Sequence, residues 1–127
     1  MTRVLLVALG GALGASARYL LGMWIQTRLG SDFPWGTFII NVTGSFFIGV
    51  VLGLVNAGTL SAEAHLFLAV GVLGGYTTFS SFSYETLELL GDGNIQAFLF
   101  NALGQLVAGL LAVYLGIVLS RGVGGIR

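Results

Sequence analysis

The apolar positions of this chain fall into four long runs separated by short polar breaks, at about 4–26, 35–57, 64–90 and 96–119. A hydrocarbon layer about 30 Å thick takes roughly 20 helical residues, so each run suffices for one crossing. A transmembrane barrel needs short alternating strands, which this pattern lacks. The reading is an all-α membrane protein whose single four-helix domain takes up residues 1–127.

The interruptions inside the runs carry more information than the runs. In the second, Thr37, Asn41 and Ser45 recur at i, i+4 and i+8 on one helical face. Ser45, Gly49 and Gly53 continue it as a small-residue packing stripe. The fourth run sets Asn101 and Gln105 at i and i+4, and the first holds Gly10 and Gly14, a pair that permits close backbone approach. A buried amide needs partners. Asn41 is either interhelical glue or a two-hydrogen donor to an anion.

The third run contains Gly-Gly-Tyr-Thr-Thr-Phe-Ser-Ser-Phe-Ser-Tyr-Glu at 74–85, with the glycine pair close to the bilayer midplane. Poor helix formers here predict a break that frees backbone carbonyls, which suit a cation. The alternative is a continuous helix whose Ser and Thr side chains bond their own turn. Phe79 and Phe82 share a face, and their electropositive ring edges offer a small anion a wall, with the hydroxyls of Ser80 and Ser83 beside them. Phe pairs at this spacing also serve as plain packing.

Composition agrees: 56% of residues are apolar, 8% are charged, and mean hydropathy is +0.97. There is no cysteine, so disulfides and thiolate metal sites are excluded. Net charge is zero, and scattered arginines exclude a nucleic-acid surface. Ala15-Ser16-Ala17 imitates a signal-peptide cleavage site, but a single leading arginine and three further spans favour retention as a helix.

Arg18 lies about 22 Å along its helix from Arg3, near one membrane face. It either snorkels to the headgroups, draws anions into a vestibule, or pairs with Glu85 or Glu88, which alternate crossings bring to the same side. Ser31 and Asp32 are candidate caps for the second helix, Ser61 for the third, and Asp92 or Asn94 for the fourth. Arg3, Arg121 and Arg127 stand on one side of the membrane against Arg18 and Arg28 on the other. That bias is too weak to set one orientation, which leaves insertion both ways open, and dual insertion would permit an antiparallel dimer.

Three motifs, one per helix, resemble the Fluc/CrcB family of fluoride channels over essentially the whole chain. They are Gly-Gly-Ala-Leu-Gly-Ala-Ser-Ala-Arg at 10–18, Gly-Thr-Phe-Ile-Ile-Asn-Val-Thr-Gly-Ser-Phe at 36–46, and the stretch at 74–85. The resemblance implies an antiparallel dual-topology homodimer in the lipid of the inner cell membrane, passing fluoride passively and so relieving cytoplasmic fluoride. It implies a structural sodium ion at the dimer centre, held by the carbonyls of Gly74 and Thr77 from both copies. Asn41, Phe79 and Phe82 would line the fluoride path, with Ser80, Ser83, Asn101 and Gln105 as its further polar groups. Arg18 matches the family's first-helix arginine. The rival readings are a proton-coupled dual-topology exporter, which needs a membrane carboxylate that the first helix lacks, and a non-transporting scaffold. None of the three is an enzyme.

Overall fold

The computed structural model describes residues 1–124, which places Arg127 outside the described part of the chain. Four spans are present, each long and apolar enough to cross a membrane. Helix α1 covers Thr2–Leu29 and α2 covers Trp35–Asn56. The third span, Ala62–Gly91, is divided into α3 (residues 62–76) and α4 (Phe79–Gly91), and α5 covers Ile95–Gly124. Every end but the last falls within about a turn of the apolar runs, as expected where helices fray, and α5 runs on past 119 to Gly124.

Two crossings build the bundle, and both depend on backbone touching backbone. Along α1 and α3, a Cβ on Gly10 would strike the Phe67 carbonyl, one on Gly14 the Val72 carbonyl, and one on Gly75 the Gly11 carbonyl. Glycines therefore stand on both sides of this contact, which close packing in lipid favours. The second crossing joins α2 to α5 along most of their length. There Gly49 meets the Val113 carbonyl and Gly116 meets the Phe46 carbonyl.

The sequence carries no sign of one feature of α3: Leu66–Leu73 is π-helical, between regular turns at Ala62–His65 and Gly74–Tyr76. Wide turns of this kind lie on functional segments more often than elsewhere. This one leads straight into the break.

The helix ends have specific causes. Ser61 Oγ accepts from Ala64 N at 3.2 Å and Asn94 Oδ1 accepts from Ala97 N at 3.1 Å, as their types suggest. Ser31 and Asp32 do not cap α2, which begins after Pro34. The turn before α2 is tied down by Gln26, whose amide donates to the carbonyls of Gly30 (2.7 Å) and Phe33 (2.9 Å) and accepts from Gly36 N (3.0 Å). Phe33, Trp35, Phe38 and Phe100 cluster at the same end, with Phe38 and Phe100 stacked at 5.5 Å. Aromatic side chains at this level suit the membrane interface.

Candidate functional site

The third span breaks at Thr77 and Thr78, whose backbones are extended (φ −81°, ψ 158° and φ −150°, ψ 119°). The break thus falls in the threonine half of the stretch expected to hold it, and the glycine pair before it stays helical. The reason is packing: Gly75 is committed to the close crossing with α1, while β-branched threonines accept extended backbone readily.

A side chain takes over the hydrogen bonding that the helix gives up. Thr78 N donates to Asn41 Oδ1 at 2.8 Å, and Asn41 Nδ2 donates back to the Thr78 carbonyl at 3.0 Å. The Asn41 amide thus pairs with the broken peptide much as a neighbouring strand would. The Thr78 hydroxyl then caps α4, accepting from Ser81 N at 3.2 Å. Since Thr78 N has turned to Asn41, the Gly74 carbonyl four residues earlier loses its helical donor. The Thr77 carbonyl accepts from Arg18 Nη1 at 3.3 Å and keeps a second lone pair. Both are neutral oxygen donors of the kind a hard cation takes, so the residues present fit the sodium that the resemblance implies.

From Asn41 a row of amides leads away from the break. Asn41 Nδ2 donates to Gln105 Oε1, Gln105 Nε2 to Asn101 Oδ1, and Asn101 Nδ2 to Thr86 Oγ1, each at 2.8 Å. The Thr86 hydroxyl ends the row by donating to the Phe82 carbonyl. Asn101 is fully buried, and Gln105 and Thr86 nearly so. Both Asn41 amide hydrogens are spent, on Thr78 and on Gln105, so this residue is no free donor in this arrangement. Thr86 had no signal in the sequence, because a threonine bonding its own turn looks ordinary in any membrane helix.

Two spaces meet at the break. A pocket of about 310 Å³, open on its outer side, is walled by Asn41, Ser45, Phe79, Phe82, Gln105 and Leu106. Its lining carries no charged side chain. The Phe79 and Phe82 rings stand 5.7 Å apart, tilted by 50°. On the other side, an open vestibule of about 1140 Å³ is lined by Arg18 and by Asp32, Glu85, Glu88 and Asp92. Thr78 lines both spaces.

Several expected groups are placed elsewhere. Arg18 and Glu85 share the vestibule but form no ion pair: Arg18 reaches the Thr77 carbonyl, and Glu85 Oε1 accepts from the Thr37 hydroxyl at 2.7 Å. Glu85 Oε2 is buried without a hydrogen-bond partner. Ser83 bonds the Phe79 carbonyl, Ser80 approaches Thr78 Oγ1 at 3.3 Å, and neither walls the cavity. Asn101 stands behind the wall, touching it only through Gln105. A further tie lies beside the break, where the hydroxyls of Thr43 and Tyr76 meet at 3.1 Å.

The family model described as CrcB-like protein, Camphor Resistance (CrcB), matches residues 5–117. A fluoride-specific ion channel FluC of Thermus thermophilus is 60% identical over 114 residues, covering 90% of each chain. The protein of the same name from Chloroflexus aurantiacus is 45% identical over 126 residues, 98% of this chain and 100% of its own. That of Agrobacterium fabrum is 46% identical over 122 residues, 95% and 98% of the two chains.

Proposed function

This chain belongs to the CrcB family, and we propose from there that it is a fluoride-specific ion channel, a transporter and not an enzyme, working as an antiparallel homodimer in the inner cell membrane. The observation that carries the reading is the uncharged cavity at the break, where Asn41 and Gln105 face Phe79 and Phe82. Fluoride is small and strongly hydrated, so a path for it must replace water with donors yet release the ion again. Neutral amides and ring edges meet both needs, whereas a buried lysine or arginine would hold the ion too long. Arg18 is the one basic side chain in a vestibule otherwise lined by four carboxylates, so its positive charge acts locally, at the Thr77 carbonyl beside the break.

The dimer follows from what a single copy leaves bare. Phe79 is 79% exposed, and Gly74 and Ser80 also face outward, so the residues flanking the break, the freed Gly74 carbonyl among them, would stand open to lipid. Lipid-exposed irregular backbone is not tolerated in a bilayer, and a second, inverted copy covers it. The freed Gly74 and Thr77 carbonyls of both copies would then hold the structural sodium, which supplies a fixed positive charge at the dimer centre. Membrane lipid surrounds the remaining apolar faces. Passive flow through such a channel lowers cytoplasmic fluoride and its toxicity.

Fluoride efflux from proteoliposomes, followed with a fluoride electrode, tests this. Voltage-driven efflux that is indifferent to a pH gradient, with chloride retained, is the expected result. Efflux that requires a proton gradient would show a coupled exporter, and no efflux from folded protein would leave only a scaffold.

A further inference from the structure

Resting on the fluoride-channel reading, we propose that the amide row is a two-position relay: an arriving fluoride reverses the Gln105 and Asn101 amides, turning Gln105 from the acceptor that holds Asn41 into a second donor to the ion. In the structure every bond of the row runs in one sense, from Thr78 N through Asn41, Gln105, Asn101 and Thr86 to the Phe82 carbonyl. Such a row has a counterpart running the other way, provided its last member can both donate and accept. A threonine hydroxyl can.

The reversed row keeps its buried groups paired. The Thr86 hydroxyl swings from the Phe82 carbonyl to Asn101 Oδ1, and Phe82 retains its helical partner, the backbone N–H four residues on. Half-turns of the two side-chain amides use terminal torsions that are soft and roughly two-fold. Asn101 Nδ2 then donates to Gln105 Oε1, and Gln105 Nε2 faces Asn41 Nδ2. Two N–H groups facing each other repel unless an anion stands between them. This asymmetry makes the ion itself the trigger.

Burial makes the two turns concerted. Asn101 is 0% exposed, so water cannot stand in for a partner lost there. A half-turn of Gln105 alone would set its Oε1 against Asn101 Oδ1. Asn41 meanwhile stays tied to Thr78 through its oxygen and one hydrogen, so the hydrogen released to the ion is the one that had faced Gln105. Asn41 and Gln105 both line the cavity, which is where the ion is met. The slot between their nitrogens is bounded by α2 and α5, which touch backbone to backbone at Gly49 and Gly116 further along the same crossing. A larger halide would have to part those helices.

Solid-state NMR on the full-length protein in lipid bilayers, on preparations that pass fluoride, measures the contact directly. Fluorine-19 of bound fluoride is recoupled to nitrogen-15 in glutamine side chains and, in a second sample, in asparagine side chains. The relay predicts a close nitrogen in both samples, with the glutamine contact abolished in Gln105→Met, and a loss of flux of about tenfold in that variant. Fluoride bound in the wild-type cavity with no glutamine contact, or undiminished flux in Gln105→Met, would overturn it. Wild-type protein that passes no fluoride at all would instead count against the channel reading.

Discussion

Asn41 is the residue on which three separate bonds converge, two to the Thr78 peptide and one to Gln105. Replacing it with alanine leaves a buried N–H and two buried carbonyl oxygens without partners. The expected cost is at least about 1–3 kcal/mol, seen as earlier thermal unfolding of the purified protein. Flux in Asn41→Ala falls together with stability. Thr37→Val is a milder case, since it removes the one hydrogen bond that Glu85 receives while its other oxygen already has none. It should destabilise the vestibule wall by about 1–3 kcal/mol, with unchanged stability counting against this role. Asn41 and Gln105 were legible in the sequence because amides at helical spacing stand out in apolar runs. Thr86 and the spent hydrogens of Asn41 were not, because partners of that kind are set by which helices meet and not by local spacing.

The third span shows how far an element can be read from its residues. Its break was legible in kind, since Gly, Tyr and Thr are poor helix formers in sequence. Its position was legible only to the stretch from Gly74 to Thr78, because the close crossing with α1, which spacing does not show, holds the glycines helical and leaves the break at Thr77 and Thr78. The π-helical stretch was illegible for a related reason: Leu66–Leu73 has no unusual composition, and its geometry accompanies close packing against α1. Paired substitutions test the crossing. Gly14→Ala drives a methyl into the Val72 carbonyl and should cost about 1–3 kcal/mol, whereas Gly91→Ala meets nothing within 4 Å and should be neutral or slightly stabilising. Equal effects of the two in thermal unfolding would contradict backbone contact at the crossing. Thr78→Val keeps the extended conformation but removes the cap on Ser81 N, so it should cost about 1 kcal/mol.

At the scale of the molecule, the four spans were plain from the apolar runs, and the weak arginine bias is what leaves both orientations open. What covers the break was beyond the reach of periodicity, since an outward-facing Phe79 looks the same in sequence whether lipid or protein lies against it. Dual insertion can be checked with one introduced thiol, because the chain has no cysteine of its own. Thr59→Cys, in the exposed loop after α2, should react to about half with a membrane-impermeant reagent added outside, as an even mixture of orientations requires. Complete labelling or none would show a single orientation. Above all, the chain should conduct fluoride and discriminate against other halides, which a planar-bilayer recording under a fluoride gradient, with chloride as the competing anion, reads out without intermediaries. The expected current reverses at the fluoride equilibrium potential and is indifferent to chloride. A reversal potential that follows chloride or protons, or the absence of current from folded protein, would contradict it.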